Sequence, residues 1–355
     1  MKKLYSVLFA CFVLSSSLVS CNDKESNIEV SVEKFPIGTV TWSSDVTAQD
    51  KEIITALINN MVLVESTHFY MGVQSRSYSR ANYLAGFTAG KDTIFDKTKA
   101  VLEDTVYVNS VKVPYSIVYY NNGLAVGPVF EITMPDYFIG KYEITQGQWM
   151  SVVGHKPSGN YCIVEGKKGQ DAWYDETGKG DNVAAYNVSY DDALEFCNAL
   201  SRKTGLKFRL PTEAEWECAA RGGKATRGYK YAGSDNFLDV AWCSTNAYAV
   251  GLGGKNYGVH AGGELQSNEL GIYDMTGNVS EWVANSYYRY TLKDRDNPQG
   301  VARTDTLVLR GGSWTQSRAT DFAPGSRRKF IESSYSKQSY LDAIAFCGLR
   351  IAISK

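Results

Sequence analysis

Gly271-Ile272-Tyr273-Asp274-Met275-Thr276-Gly277-Asn278-Val279-Ser280-Glu281-Trp282 gathers turn formers and oxygen donors into one short stretch. Hard cations such as Ca²⁺ take about six to eight oxygens, many of them carbonyls in tight turns, with one or two carboxylates supplying charge. Asp274 and Glu281 can supply those carboxylates, and Gly277 with the turn after it lets carbonyls point inward. The stretch therefore holds the donors and turns that a loop binding such a cation would need. The competing use is a metal-free turn in which Glu281 caps main-chain amides.

Around this loop lies a chain of 355 residues with 44% hydrophobic and 21% charged residues, enough to bury the core of one large domain or two ordinary ones. A formal net charge of -1, with acids and bases interspersed, gives no electrostatic reason to expect a nucleic-acid partner. The 24 Tyr and 7 Trp suit a molecule rich in irregular structure, where rings pack loops or line a binding groove.

The N-terminus reads as an address. Met1-Lys2-Lys3 is basic, the apolar run from Leu4 to Leu14 is too short to span a bilayer, and Leu18-Val19-Ser20-Cys21 resembles a bacterial lipobox. Residues 1–20 are then a lipoprotein signal peptide, Cys21 carries the lipid, and 21–47 form a polar tether. Such acylation anchors the chain to a membrane of the cell envelope, the outer membrane being the expected one, with the periplasmic or surface face left open. Five cysteines remain beyond the signal, Cys162, Cys197, Cys218, Cys243 and Cys347, and their odd number and spacing leave room for one bridge or two without fixing any.

From Ala48 onward the pattern is that of one domain, 48–355, with a helix to Asn60, a strand at Met61–Val64, and a Tyr- and Thr-rich β insertion at about 73–128 closed by Asn121-Asn122-Gly123. Thr145 to Gln148 and Thr212 to Glu215 have the capping-box form, each cap contributing about 1 kcal/mol. These two helices end at Gly154 and Gly222. Ser189 opens a third helix with Asp191 and Asp192 in its positive first turn, and Ala193, Phe196, Cys197 and Leu200 share its inner face. In Leu210-Pro211-Thr212-Glu213 the proline keeps its predecessor extended, so a strand gives way at once to a capped helix whose Trp216 faces inward. Strands and helices do not alternate regularly, and the long turn-rich run after Gly222 argues for an α+β domain with little regular secondary structure.

Four segments then fall in one order: Phe138 to Trp149, Asn187 to Ala193, Phe208 to Glu217, and Asn268 to Trp282 continuing through Leu309-Arg310-Gly311-Gly312-Ser313-Trp314, with Gly348-Leu349-Arg350 at the end. Together they resemble the formylglycine-generating enzyme family, also called sulfatase-modifying factors, over about Asn60 to Lys355. The resemblance implies an irregular C-type-lectin-like α+β fold. It also implies a structural calcium ion held by the side chains of Asp274 and Glu281 and the backbone oxygens of Gly277 and Val279. A second family calcium site starts from a position like Asn246 with the backbone of Ala247, but the segment for its remaining ligands, Gly251 to Gly263, is shorter and Gly-rich here.

The enzyme reading breaks at one place. The family's oxidase binds Cu(I) through two thiols just after the Arg-Gly-Gly-Ser stretch, a soft ion that thiolates select, and turns a substrate cysteine into formylglycine with O₂. Those positions are Gln316 and Asp321, neither of which replaces a thiolate, so copper is not expected. Ser280 stands where the family frequently has Trp. His68, His155 and His260 are far apart with no metal spacing, and Ser313 with a distant His makes no hydrolytic triad. Arg310, Arg327, Arg328 and Arg350 either line an anionic pocket or pair internally with acids, the second being the favoured use. The expectation is a lipid-anchored envelope protein whose domain binds or scaffolds a protein or glycan partner, with a ligand groove at Ser313, Trp314, Arg310, Arg327 and Arg328. The alternative is an oxidase acting on a cysteine of a sulfatase or other exported protein.

Overall fold

The structure, a computed structural model, describes residues 31–72, 105–108, 111–114, 130–164, 166–288 and 303–355. The signal segment, Cys21 and the Asn121-Asn122-Gly123 turn lie outside the described residues.

The strands are β1 (Val32–Phe35), β2 (Gly38–Thr41), β3 (Met61–Val64), β4 (Thr67–Met71), β5 (Thr105–Val108), β6 (Val111–Pro114), β7 (Phe130–Met134), β8 (Tyr137–Gly140), β9 (Ser280–Ser286), β10 (Thr306–Arg310), β11 (Arg328–Ile331), β12 (Cys347–Gly348) and β13 (Ala352–Ser354). The helices are α1 (Ala48–Asn59), α2 (Gln146–Val153), α3 (Tyr190–Thr204), α4 (Glu213–Ala220) and α5 (Lys337–Ala343). One sheet has the order β13-β8-β3 and a second β11-β10-β9-β12, in which the short β12 runs parallel to β9. The final residues thus pair with β8, Ile353 opposite Phe138, and close the domain on itself.

The helix starts follow from their caps. Thr145, Ser189 and Thr212 each accept the amide of the third helical residue, and Gln148, Asp192 and Glu215 reach back to the cap amide. Gly154 and Gly205 end α2 and α3 in the left-handed conformation. Arg221 is the C-cap of α4, and Gly222 follows at φ 86° as the expected left-handed glycine just past the helix end.

The expected tether is too long. β1 and β2 form a hairpin, and Ile37, Val40 and Trp42 are buried in the main core, because three apolar residues this close to α3 gain more by packing than by solvation. The insertion contributes the β5–β6 hairpin, with Val106 opposite Val113.

Between Gly222 and Ser280 the described elements are only short 3₁₀ turns and one π turn, so side chains must hold the backbone. Asn268 illustrates this, accepting the amides of Leu270 and Ile272 and donating to Ala219 O at 2.7 Å. The core beneath is ring-rich: Trp149 stacks on Phe196 with centroids 5.5 Å apart, and Trp282 meets Tyr190 and Phe330 edge-on. Truncating such a buried ring to alanine costs about 3–5 kcal/mol.

Candidate functional site: a buried acidic loop and a basic cleft

The Gly271–Trp282 stretch folds by repeated left-handed steps, at Asp274 (φ 56°), Gly277 (φ 84°) and Asn278 (φ 56°). Gly277 is obligatory, because a Cβ there would collide with the carbonyl of Trp242. Asn278 tolerates its φ because its side chain is fully engaged, donating to Glu143 Oε2 at 2.6 Å and to His260 O at 3.2 Å while accepting the His260 amide at 2.9 Å.

The loop brings together three buried carboxylates. Glu281 accepts Arg350 Nη2 on Oε1 at 2.9 Å, Arg350 Nε on Oε2 at 3.0 Å and the Trp216 indole N–H on Oε2 at 2.7 Å. Asp274 accepts the Gly263 amide on Oδ2 at 2.8 Å, but its buried Oδ1 has no partner among the described residues. The third is Glu143, which accepts the Val279 amide at 3.1 Å as well as Asn278. Burial pushes the Asp274 carboxyl up to about 6. Glu143 is raised well above the usual carboxylate range by burial and then by the charges of Asp274 and Glu281. Sequence reading missed Glu143, whose only signal was an acidic residue set between Tyr142 and Ile144 at the end of a strand.

Set against the expected calcium ligands, this geometry divides them. Asp274, with one desolvated oxygen unsatisfied, fits a hard cation. Glu281 does not, because Arg350 and Trp216 already occupy both of its oxygens; its side chain serves an ion pair instead. Asn246, expected at the second calcium site, is spent locally: its Oδ1 accepts the Cys243 amide at 2.8 Å and its Nδ2 donates to Ala241 O at 2.9 Å. Among the described residues no group of three or more His, Cys, Asp or Glu is arranged to hold a metal.

A cleft of about 280 Å³ lies where β9, β10 and β11 meet the turn after Gly312. Gln316 and Asp321, the positions where the resemblance places thiols, both line it. Gln316 Oε1 accepts the Ser313 amide at 2.9 Å. The Asp321 carboxyl is raised by burial although Arg318 and Arg328 draw it down. Cys162, Cys197, Cys218, Cys243 and Cys347 are all buried and free, so the one or two bridges that the sequence left room for do not form among them, and none lines the cleft. Burial pushes the thiols of Cys197, Cys218 and Cys347 up to about 12, which removes thiolate chemistry at neutral pH.

The expected ligand groove is only partly correct. Ser313 and Trp314 are 0% and 1% exposed, and Trp314 packs edge-on against Tyr257 and Phe346, so neither presents a surface. The reason is the left-handed pair Gly311 and Gly312, which turns the following residues into the core. Arg310 and Arg327 do line the cleft, yet their charge is used on the buried helix α4: Arg327 forks onto Glu213 at 2.6 and 2.7 Å, and Arg310 Nη2 meets Glu217 at 2.5 Å. Arg350 lies elsewhere, on Glu281. Arg328 is exposed in the cleft, joined by Arg318 and Lys329, which sequence reading did not single out. The histidines remain apart: His260 stacks on Trp242 at 3.6 Å and touches Glu264, His155 touches Glu195, and His68 meets Thr133.

An irregular α+β module of C-type-lectin-like type, with a buried acidic loop under one sheet and a cleft beside a Gly-Gly turn, is the class these features define. The chain belongs to the sulfatase-modifying factor enzyme 1-like domain family, whose model matches residues 53–355. It is 32% identical over 228 residues to a protein named chaperone protein LppX of Paenibacillus barcinonensis, spanning 52% of this chain and 72% of that one. It is also 32% identical over 155 residues to the inactive C-alpha-formylglycine-generating enzyme 2 of Bos taurus, spanning 40% of this chain and 44% of that one. The structure of PvdO from Pseudomonas aeruginosa superposes with a TM-score of 0.53 at 22% identity, over 83% of this chain and 94% of that one, which shows the shared fold.

Proposed function

We propose that this chain is a lipid-anchored protein of the cell envelope whose sulfatase-modifying-factor-like domain is a non-catalytic binding or scaffolding module. The observation that carries this reading is the occupation of the cleft by Gln316 and Asp321, with every described cysteine buried away from it. A copper oxidase needs accessible thiolates, and this cleft offers an amide and a carboxylate in their place. The likeness to a relative named as inactive and to one named as a chaperone supports the same reading. Anchoring rests on Cys21 and the apolar run before it, with the outer membrane as its site and a protein or glycan of the envelope as partner.

Calcium belongs to the proposal as a structural ion at the acidic loop. Asp274 Oδ1 would hold it with the carbonyls of Gly277 and Val279, and its charge would offset the excess of three carboxylates over one guanidinium.

The test is mass spectrometry of a cysteine-bearing sulfatase peptide incubated in air with the full chain and Cu(I). No formylglycine is expected. Its formation would establish the oxidase reading and a metal site outside the positions of Gln316 and Asp321.

A further inference from the structure

We propose that the cleft between β10 and β11 binds a carboxylate-bearing peptide segment, an acidic side chain seating among Arg318, Arg328 and Lys329 above the hydroxyl of Ser280. This deepens the binding-module reading and rests on it.

Charge is the first argument. Arg310 and Arg327 are neutralised by Glu213 and Glu217, whereas Arg318, Arg328 and Lys329 are exposed cleft residues with no ion pair among the described residues. Asp321 is the single acid among the described residues of the lining, which makes these residues a locally positive set on a chain whose formal net charge is -1. Guanidinium forks take carboxylates through paired N–H donors, which gives both attraction and geometry.

Ser280 is the second and independent argument. It is 1% exposed and lines the cleft, yet its Oγ has no hydrogen-bond partner among the described residues. A buried hydroxyl left unpaired is unfavourable, a deficit that a ligand oxygen at the cleft floor would remove.

The lining also selects the class of ligand. None of the described residues lining the cleft is aromatic, so none of them offers a sugar ring a flat apolar partner. The volume of about 280 Å³ suits one acidic side chain and its backbone rather than a polymer. Asp321 would repel a continuous polyanion, but it offers an acceptor to a peptide N–H beside the seated carboxylate.

The full chain in detergent micelles is titrated with fluorescein-labelled acetyl-Gly-Glu-Gly-Glu-Gly amide, its Gln counterpart and dextran sulfate, followed by fluorescence anisotropy or competition. The Glu peptide should bind saturably, and at least tenfold more weakly when its acids become Gln. Binding should also fall at least tenfold in the double variant Arg318→Glu with Arg328→Glu. Both positions are exposed, so an unchanged melting temperature will certify that variant's fold. Equal binding by this folded variant would overturn the proposal, as would no saturable binding of the Glu peptide or a tenfold preference for dextran sulfate. Formylglycine formation by the same preparation would instead remove the non-catalytic reading; peptide silence without formylglycine removes only this inference.

Discussion

Arg350 grips Glu281 through Nη2 on Oε1 at 2.9 Å and Nε on Oε2 at 3.0 Å, with neither side chain exposed to solvent. Arg350 also donates to the carbonyls of Gly140 and Tyr273, each at 2.8 Å, so one guanidinium ties β8, the acidic loop and β9 to the C-terminal segment. Burying such a pair costs desolvation, and breaking it on one side costs more, because an uncompensated charge stays behind.

Removal of Arg350 therefore exposes the imbalance directly. Arg350→Met leaves Glu281, Asp274 and Glu143 without their cation, and the expected loss is about 3–5 kcal/mol in urea unfolding. Glu281→Gln should cost less, because Asp274 and Glu143 still compensate the guanidinium. Equal losses would mean that the two other acids do not interact with Arg350.

The acidic loop also sets a pH dependence. The Asp274 carboxyl is raised by burial from 3.8 in the unfolded chain to about 6 in the fold. Between these values the folded state holds the extra proton, so this group's contribution is complete below about 4 and is lost as pH rises through about 6. That contribution is on the order of 3 kcal/mol. In the presence of a chelator, melting temperature should fall between pH 4.5 and pH 7.5, and Asp274→Asn should flatten that slope. A slope unchanged in the variant would exclude Asp274 as its source.

Calcium has its own signature. At pH 7.5, millimolar Ca²⁺ should raise the melting temperature of the full chain by several degrees, and Asp274→Ala should abolish the shift. Mg²⁺ should do less, because it dehydrates reluctantly and demands a regular octahedron. No shift with Ca²⁺ would leave the loop as a metal-free turn.

Cysteine chemistry gives a fourth outcome. Because Cys197, Cys218 and Cys347 are buried with thiols pushed up to about 12, iodoacetamide at pH 8 should leave them unmodified in the folded chain and label them after denaturation. Native-state labelling of Cys218 or Cys347 within minutes would reopen the search for a reactive thiol.

What the sequence determined by itself was local. Capping boxes at Thr145, Ser189 and Thr212 can be read directly because the groups that satisfy one another lie three residues apart. The order of the motifs carried the family, and the resemblance marked Gln316 and Asp321 as its thiol positions, which the structure then sets in one cleft. Partner choice among long charged side chains was decided only in three dimensions. Glu281 lies 69 residues from Arg350, and Glu213 lies 114 from Arg327. Which acid a given arginine meets depends on how β9, α4 and the C-terminal segment stack, and burial then makes the match obligatory because a desolvated charge must be paired. The same packing turned Ser313 and Trp314 inward, left the Ser280 hydroxyl without a partner among the described residues, and set Arg318, Arg328 and Lys329 in the open cleft.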